Sequence, residues 1–382
     1  MSVRPTEHRG AGTRAVRAGL PAPAQGEPFL PGPTFAGAFH LAGDADAHRY
    51  GYQRFGSPTW THYEAALSEL ELGTATVFPS GMAAASSVLL ELLEPGDVLV
   101  APSDAYPGIR AVAASHLLPQ GIDVRLVPTD DAAIREALPD ATLVWVEVPS
   151  NPELAVLDLA ALADDVHAAG ALLAVDNTLA TPLAQRPLEL GADISMSSAT
   201  KALTGHSDLV LGHIATATPE MAERLAAWRA RNGAIAGPFE VWLAHRSLAT
   251  LDVRLHRQCS NALALAEALA VDSRVTGVRY PGLPGHPGHE IAARQMSGLF
   301  GMVLGFELAD ADAAQAFLSA AELVAEATSF GGNHTTAERR ARWGTDAVSE
   351  GFIRLSAGLE DADDLVADVL QALDGVSSSR TT

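Results

Sequence analysis

The 382-residue chain has almost no lysine, a single cysteine and no long apolar run. Of its 25 basic side chains, one is lysine, Lys201, and the remaining 25 − 1 = 24 are arginines. The single cysteine, Cys259, excludes an internal disulfide and a cysteine metal cluster, and with them a disulfide-stapled secreted fold. Positive charge is scarce as well: 46 acidic residues give a net charge of −21. That balance argues against nucleic acid or an anionic membrane as the main partner, because both demand basic patches. No stretch reaches the uninterrupted apolar length of a membrane span. The opening segment MSVRPTEHRGAGTRAVRAG carries Arg4, Arg9, Arg14 and Arg17 but no apolar core for export. A cytoplasmic protein without a membrane segment and without a metal centre is the expectation.

What is present fits a compact globular chain: 48% of residues are hydrophobic and only 19% are charged. The length suggests two domains. Lys201 stands out against the arginine bias, which replaces lysines that merely carry charge. A lysine that must lose its proton is one that arginine cannot replace.

Residues 1–50 are rich in proline, glycine and alanine and read as an extended arm that contacts a neighbouring subunit. From 51 to 244, short apolar runs alternate with helical patterns such as GMAAASSVLLELL (81–93) and DLAALADDVHAAG (158–170). The runs include TATVF (74–78), VLVAP (98–102), TLVWVEVP (142–149), ALLAVDN (171–177) and LVLGHIATA (209–217). Continuous apolar strands between helices predict an α/β domain with a mainly parallel sheet, whose functional groups gather at the carboxyl ends of strands. From 245 to 382 the pattern changes to helices followed by a few strands, which predicts a smaller α+β domain.

Five places carry candidate chemistry. Lys201 closes ISMSSATK at a strand end, with Ser198 and Thr200 beside it as hydroxyls suited to a phosphate. Asp176 ends the preceding strand, ALLAVDN, where an acid is nearly as often a turn or cap residue as a binding or catalytic one. An amine and a carboxylate on neighbouring strand ends suit the two sides of pyridoxal 5′-phosphate: the lysine attaches the cofactor and the acid pairs with its ring nitrogen. FPSGM (78–82) reads as strand, turn and helix start, where the amides of Gly81 and Met82 favour an anion, with an ordinary serine-capped turn as the alternative. Tyr106 in DAYPG could stack on a flat ring, although a packing role is a serious alternative. Asn151 in PSNP could bond a ring substituent or simply shape its turn.

Taken in order, these pieces resemble the Cys/Met-metabolism family of pyridoxal-phosphate enzymes, the cystathionine γ-synthase and γ-lyase group. The resemblance also covers YQRFGSPT (52–59), SSATKALTGHSD (197–208), GHEIAARQ (288–295), SFGG (329–332) and FIRLSAGLED (352–361). It implies a large cofactor-binding domain of the aspartate aminotransferase type and a homotetramer of two catalytic dimers. It implies that Lys201 is the cofactor lysine and base, and that Gly81, Met82, Ser198 and Thr200 hold the phosphate. Tyr52 and Arg54 would reach the phosphate site of the neighbouring subunit, and Tyr106 would stack on the ring and assist proton transfer. Ser329 and Arg354 would hold the α-carboxylate of a small amino-acid substrate. The activity implied is γ-elimination from cystathionine or a related thioether, with γ-replacement on an O-acylhomoserine, or β-elimination, as alternatives.

The chain departs from that pattern at several points. Two positions that are often acidic in relatives acting on cystathionine read Gly51 and Thr328 here. NHTTAERRARWG (333–344) is strongly basic for so acidic a chain. It reads first as a solvated helix face, with contact between Arg339, Arg340 or Arg342 and a distal carboxylate as the alternative. A dinucleotide-binding oxidoreductase is disfavoured, because no G-x-G-x-x-G opens the first strand–helix unit.

Overall fold

A computed structural model describes residues 9–44 and 47–379; the parts of the arm and tail expectations that concern residues 1–8, 45–46 and 380–382 lie outside it. The apolar runs fold as expected into a seven-stranded sheet with order β1-β7-β6-β5-β4-β2-β3. Its strands are β1 (Thr74–Phe78), β2 (Val98–Pro102), β3 (Asp123–Val127), β4 (Leu143–Glu147), β5 (Leu172–Asp176), β6 (Ile194–Ser197) and β7 (Gly212–Thr216). Strand β7 runs antiparallel to both β1 and β6, and the other neighbouring pairs are parallel. Every residue of β2, β4 and β7 is buried, because helices cover both faces of the sheet.

Local chemistry sets the helix starts. Ser80 caps the helix Gly81–Leu92 by accepting a hydrogen bond from Ala83 N at 3.0 Å. Ser57 caps Pro58–Glu71, where Pro58 occupies the first turn and its missing N–H costs nothing.

A second, five-stranded sheet comprises β8 (Thr276–Arg279), β9 (Val303–Glu307), β10 (Ala325–Glu326), β11 (Thr336–Arg339) and β12 (Phe352–Ser356), in the order β10-β11-β12-β9-β8. The helices Leu251–Ala270, Ala311–Ala320 and Ala362–Ser379 pack with it around an apolar cluster that includes Leu265, Phe306, Phe317 and Leu373.

Two expectations are corrected. The arm is not extended throughout: Ala11–Arg17 is a helix packed on Pro58–Glu71 and Leu251–Ala270, with Ala15 buried. The basic run is not a solvated helix face. Residues 336–339 form β11, paired with β12, and Arg340–Trp343 form a short 3₁₀ turn. Three arginines in a short span suggest solvation, but Glu338 and Asp346 neutralise Arg340 and allow it to be buried.

Candidate active site

The carboxyl ends of β4, β5 and β6 open on a cavity of about 360 Å³ between the two sheets. Ten of the residues expected to hold cofactor or substrate line it: Gly81, Met82, Tyr106, Asn151, Asp176, Ser198, Thr200, Lys201, Ser329 and Arg354; Thr328 and Arg340, also singled out in the sequence, line it too. Tyr52 and Arg54 lie elsewhere. The Tyr52 ring is half exposed, and Arg54 donates through Nη1 to Ala230 O at 2.9 Å.

Lys201 follows β6 on a turn fixed at both ends. Thr200 N donates to Leu211 O at 3.1 Å, and Lys201 N donates to Ser198 O at 3.1 Å. Arg254, from the helix Leu251–Ala270, clamps the same turn through Ala202 O at 2.6 Å and Leu203 O at 3.1 Å. The Lys201 amine donates to Ser329 Oγ at 2.6 Å and lies 4.9 Å from the centre of the Phe330 ring. Burial lowers its pKa from 10.5 to about 8; the positive charge of Arg354 acts in the same direction, while Glu338 and Asp176 oppose it. Because this lysine is alone in the chain, the shift has a direct readout. In cofactor-free protein, acylation of the lysine by a neutral amine reagent is expected to reach half its maximal rate near pH 8. A midpoint near the ordinary value of 10.5 would refute the burial argument.

Asp176 ends β5, buried, and accepts from Thr178 N at 3.0 Å. Burial raises its pKa, while the Thr178 contacts and the Lys201 charge hold it down. Thr178 in turn accepts from Ser198 N at 2.8 Å through its hydroxyl, so β5 and β6 are tied together where they meet the cavity.

The helix Gly81–Leu92 points its amino end at Ser198. A Cβ on Gly81 would lie 2.7 Å from Ser198 Cβ, so only glycine permits this approach. The first amides of the helix, Gly81 and Met82 among them, have no partner within the helix. This pocket of glycine amide, serine hydroxyl and helix terminus fits a phosphate monoester, and the amine and carboxylate beside it fit a pyridine aldehyde. Thr200 is less free: its hydroxyl donates to Leu211 O at 3.0 Å and accepts from Leu211 N at 3.0 Å.

Opposite the lysine, Arg354 on β12 donates to Asn151 Oδ1 at 2.7 Å, Ser329 O at 3.1 Å and Glu338 Oε1 at 2.5 Å. Burial lowers its pKa to about 10, and Arg340 adds to that effect. Asn151 is thereby fixed by Arg354.

Sequence reasoning missed Glu147, Arg254, Phe330 and Glu338. Glu147 ends β4 directly beside Asp176, and burial together with the Asp176 charge raises its pKa well above that of an ordinary carboxyl group. Its signal was a lone acid within the otherwise apolar TLVWVEVP. Glu338 pairs with Arg354 across β11 and β12, and its signal was hidden by the surrounding arginines.

Known proteins share this fold and much of this sequence. The family model described as Cys/Met metabolism PLP-dependent enzyme matches residues 33–374. A Streptomyces coelicolor protein named "Putative cystathionine gamma-lyase" is 55% identical over 370 residues, covering 96% of this chain and 94% of its own. The cystathionine gamma-synthase of Mycobacterium tuberculosis is 40% identical, covering 98% of this chain and 100% of its own. The crystal structure of the Xanthomonas oryzae cystathionine gamma-synthase, in complex with aminoacrylate and cysteine, superposes with a TM-score of 0.92 at 35% identity, covering 97% of this chain and 99% of that one. On this fold, this cavity and these matches, the chain belongs to the Cys/Met-metabolism family of pyridoxal-phosphate-dependent enzymes.

Proposed function

We propose that the protein is a carbon–sulfur lyase that performs γ-elimination on cystathionine or a related thioether amino acid. The observation that carries this reading is the chain's one lysine, partly buried with a lowered pKa and facing Arg354 across a cavity large enough for an amino acid. With cystathionine, the reaction consumes one water and yields cysteine, 2-oxobutanoate and ammonia.

Lys201 would attach the cofactor, Asp176 would pair with its ring nitrogen, and Gly81, Met82, Ser198 and Thr200 would hold its phosphate. When bound, pyridoxal phosphate supplies an electron sink that stabilises a substrate carbanion. The protein supplies the remaining functions. Arg354 offers its fork to the substrate α-carboxylate, which must compete with Glu338 and Asn151. Lys201 Nζ, neutral in a useful fraction near pH 8, takes the proton from the substrate Cα. Ser329 Oγ, 2.6 Å from that nitrogen, steers the amine between its positions. Tyr106, half exposed at the cavity wall, would stack on the cofactor ring and exchange a proton with the leaving sulfur.

The catalytic unit proposed is a dimer, two of which form a tetramer. Phe29, Phe35 and Phe55 lie exposed on or beside the arm at 86%, 71% and 67%, an apolar surface that a neighbouring subunit would cover. Tyr52 and Arg54 sit in the same stretch and would complete that neighbour's phosphate site.

A second reading, γ-replacement, draws support from the 40% identity to a synthase. The two readings share every residue named above and differ in whether water or a thiol captures the final intermediate. Purified enzyme given cystathionine is expected to release cysteine and 2-oxobutanoate faster than it makes cystathionine from an O-acylhomoserine and cysteine. The reverse ranking would make it a synthase.

A further inference from the structure

The basic run that sequence reasoning assigned to solvent contributes one side chain to the cavity. Arg339 pairs with exposed Glu350, and Arg342 pairs with Glu326 at the surface. Arg340 turns inward instead: it is 8% exposed and lines the same cavity as Lys201, Tyr106 and Arg354. The geometry follows from where β11 ends. Glu338 lies opposite Arg354 across β11 and β12, and the 3₁₀ turn that begins at Arg340 brings its guanidinium back to Glu338.

The Arg340 guanidinium is held in place. Its Nε and Nη2 lie 2.8 and 2.6 Å from Asp346 Oδ2, and its Nη1 lies 2.8 Å from Glu338 Oε1. A guanidinium carries five N–H donors, so these three contacts leave one on each terminal nitrogen. Glu338 Oε1 also accepts from Arg354, so one carboxylate oxygen spaces the two guanidinium groups apart. The cavity therefore presents two buried guanidinium groups side by side, but an α-carboxylate needs only one.

We propose that Arg340 is a specificity-determining residue that binds a carboxylate at the far end of the substrate's thioether arm. The inference rests on the proposed thioether-lyase function and deepens it. It also accounts for a departure noted in the sequence: Gly51 and Thr328 offer no carboxylate to a distal ammonium, while Glu338 and Asp346 are already engaged by arginine. The distal carboxylate, rather than the distal amine, is then what the site reads.

The test uses three substrates of nearly equal length: cystathionine, S-(2-carboxyethyl)-L-homocysteine, which lacks only the distal amine, and S-propyl-L-homocysteine, which lacks the distal carboxylate. Wild-type holoenzyme is expected to treat the first two alike within about threefold in kcat/KM and to disfavour the propyl compound by about tenfold to a hundredfold, the range for a charge-assisted hydrogen bond. In Arg340→Met the preference collapses through a raised KM for the carboxylate compounds, while the propyl compound changes less than about twofold. Arg340→Lys keeps the charge but loses the fork, and retains part of the preference. If the methionine variant fails to fold, the wild-type ranking and the lysine variant still decide. Calorimetric titration of a Lys201→Ala protein with the same compounds should show the same order in Kd. Equal turnover of the carboxyethyl and propyl compounds by the wild type would overturn the assignment, as would a variant that loses both equally. Holoenzyme inactive on all three would instead overturn the lyase reading on which the assignment rests.

Discussion

Lys201→Ala is expected to lower kcat by about 10³–10⁴-fold at saturating pyridoxal phosphate while leaving the fold intact. The magnitude follows from its role as positioned base, whose loss alone typically costs about 10²–10⁴-fold, with the upper part reached because the same amine also anchors the cofactor. Folding should survive, because the turn is held by backbone bonds from Thr200 and Lys201 and by the Arg254 clamp, none of which uses the lysine side chain. Lys201→Arg should be no better: arginine keeps its proton and can neither attach the cofactor nor accept a proton from carbon. Borohydride should fix cofactor to the wild-type protein and to neither variant. Activity of the alanine variant within tenfold of wild type, with unchanged circular dichroism, would place the base elsewhere.

Asp176→Asn is expected to lower kcat by about 10²–10³-fold, about 3–4 kcal/mol of barrier, because a neutral amide no longer favours the protonated ring nitrogen on which electron withdrawal depends. The substitution is nearly isosteric. Its oxygen can still accept from Thr178 N, so cofactor occupancy and thermal stability should change little. The neighbouring acid provides the control. Glu147 lies beside Asp176, and burial together with the Asp176 charge holds it well toward its neutral form. A neutral amide there replaces a neutral acid, so Glu147→Gln should cost less than about tenfold. Equal losses in the two variants would mean that overall polarity at these strand ends, rather than one negative charge, supports the reaction.

Much of this site was legible in the sequence. Buried strands are written in runs such as VLVAP and ALLAVDN, because a sheet covered on both faces needs apolar residues at every position. Residues at the ends of those runs fall at the carboxyl edge of the sheet, so Asp176 and Lys201 could be placed from their neighbours alone. The second sheet was harder to read. Strand β11 is TAER, with no apolar run, and its Glu338 is buried against Arg340 and Arg342 nearby in sequence and against Arg354, a partner that only the folded chain brings to it. Glu338 was hidden and Arg340 was named only as the alternative to a solvated face, because each looks solvated alone and is buried through ion pairs, Glu338 with Arg354 and Arg340, and Arg340 with Glu338 and Asp346. Tyr52 and Arg54 match the family motif yet stand outside the cavity of their own subunit, a placement that local sequence cannot convey.

The reversed strand β7 bears on the order in which the chain folds. The lysine turn connects β6 to β7, and its pairing of Ser197 with His213 spans few residues. The amino end of the helix Gly81–Leu92 arrives by another route, through β1, whose Thr74 meets Thr216 across a separation of 142 residues. Local pairings form before distant ones, because closing a long loop costs more chain entropy. The two halves of the phosphate cradle therefore meet late, when β1 docks on β7. A ligand that requires both halves stabilises only the closed state, so pyridoxal phosphate added during refolding acts on the last step of assembly and resists the first step of unfolding.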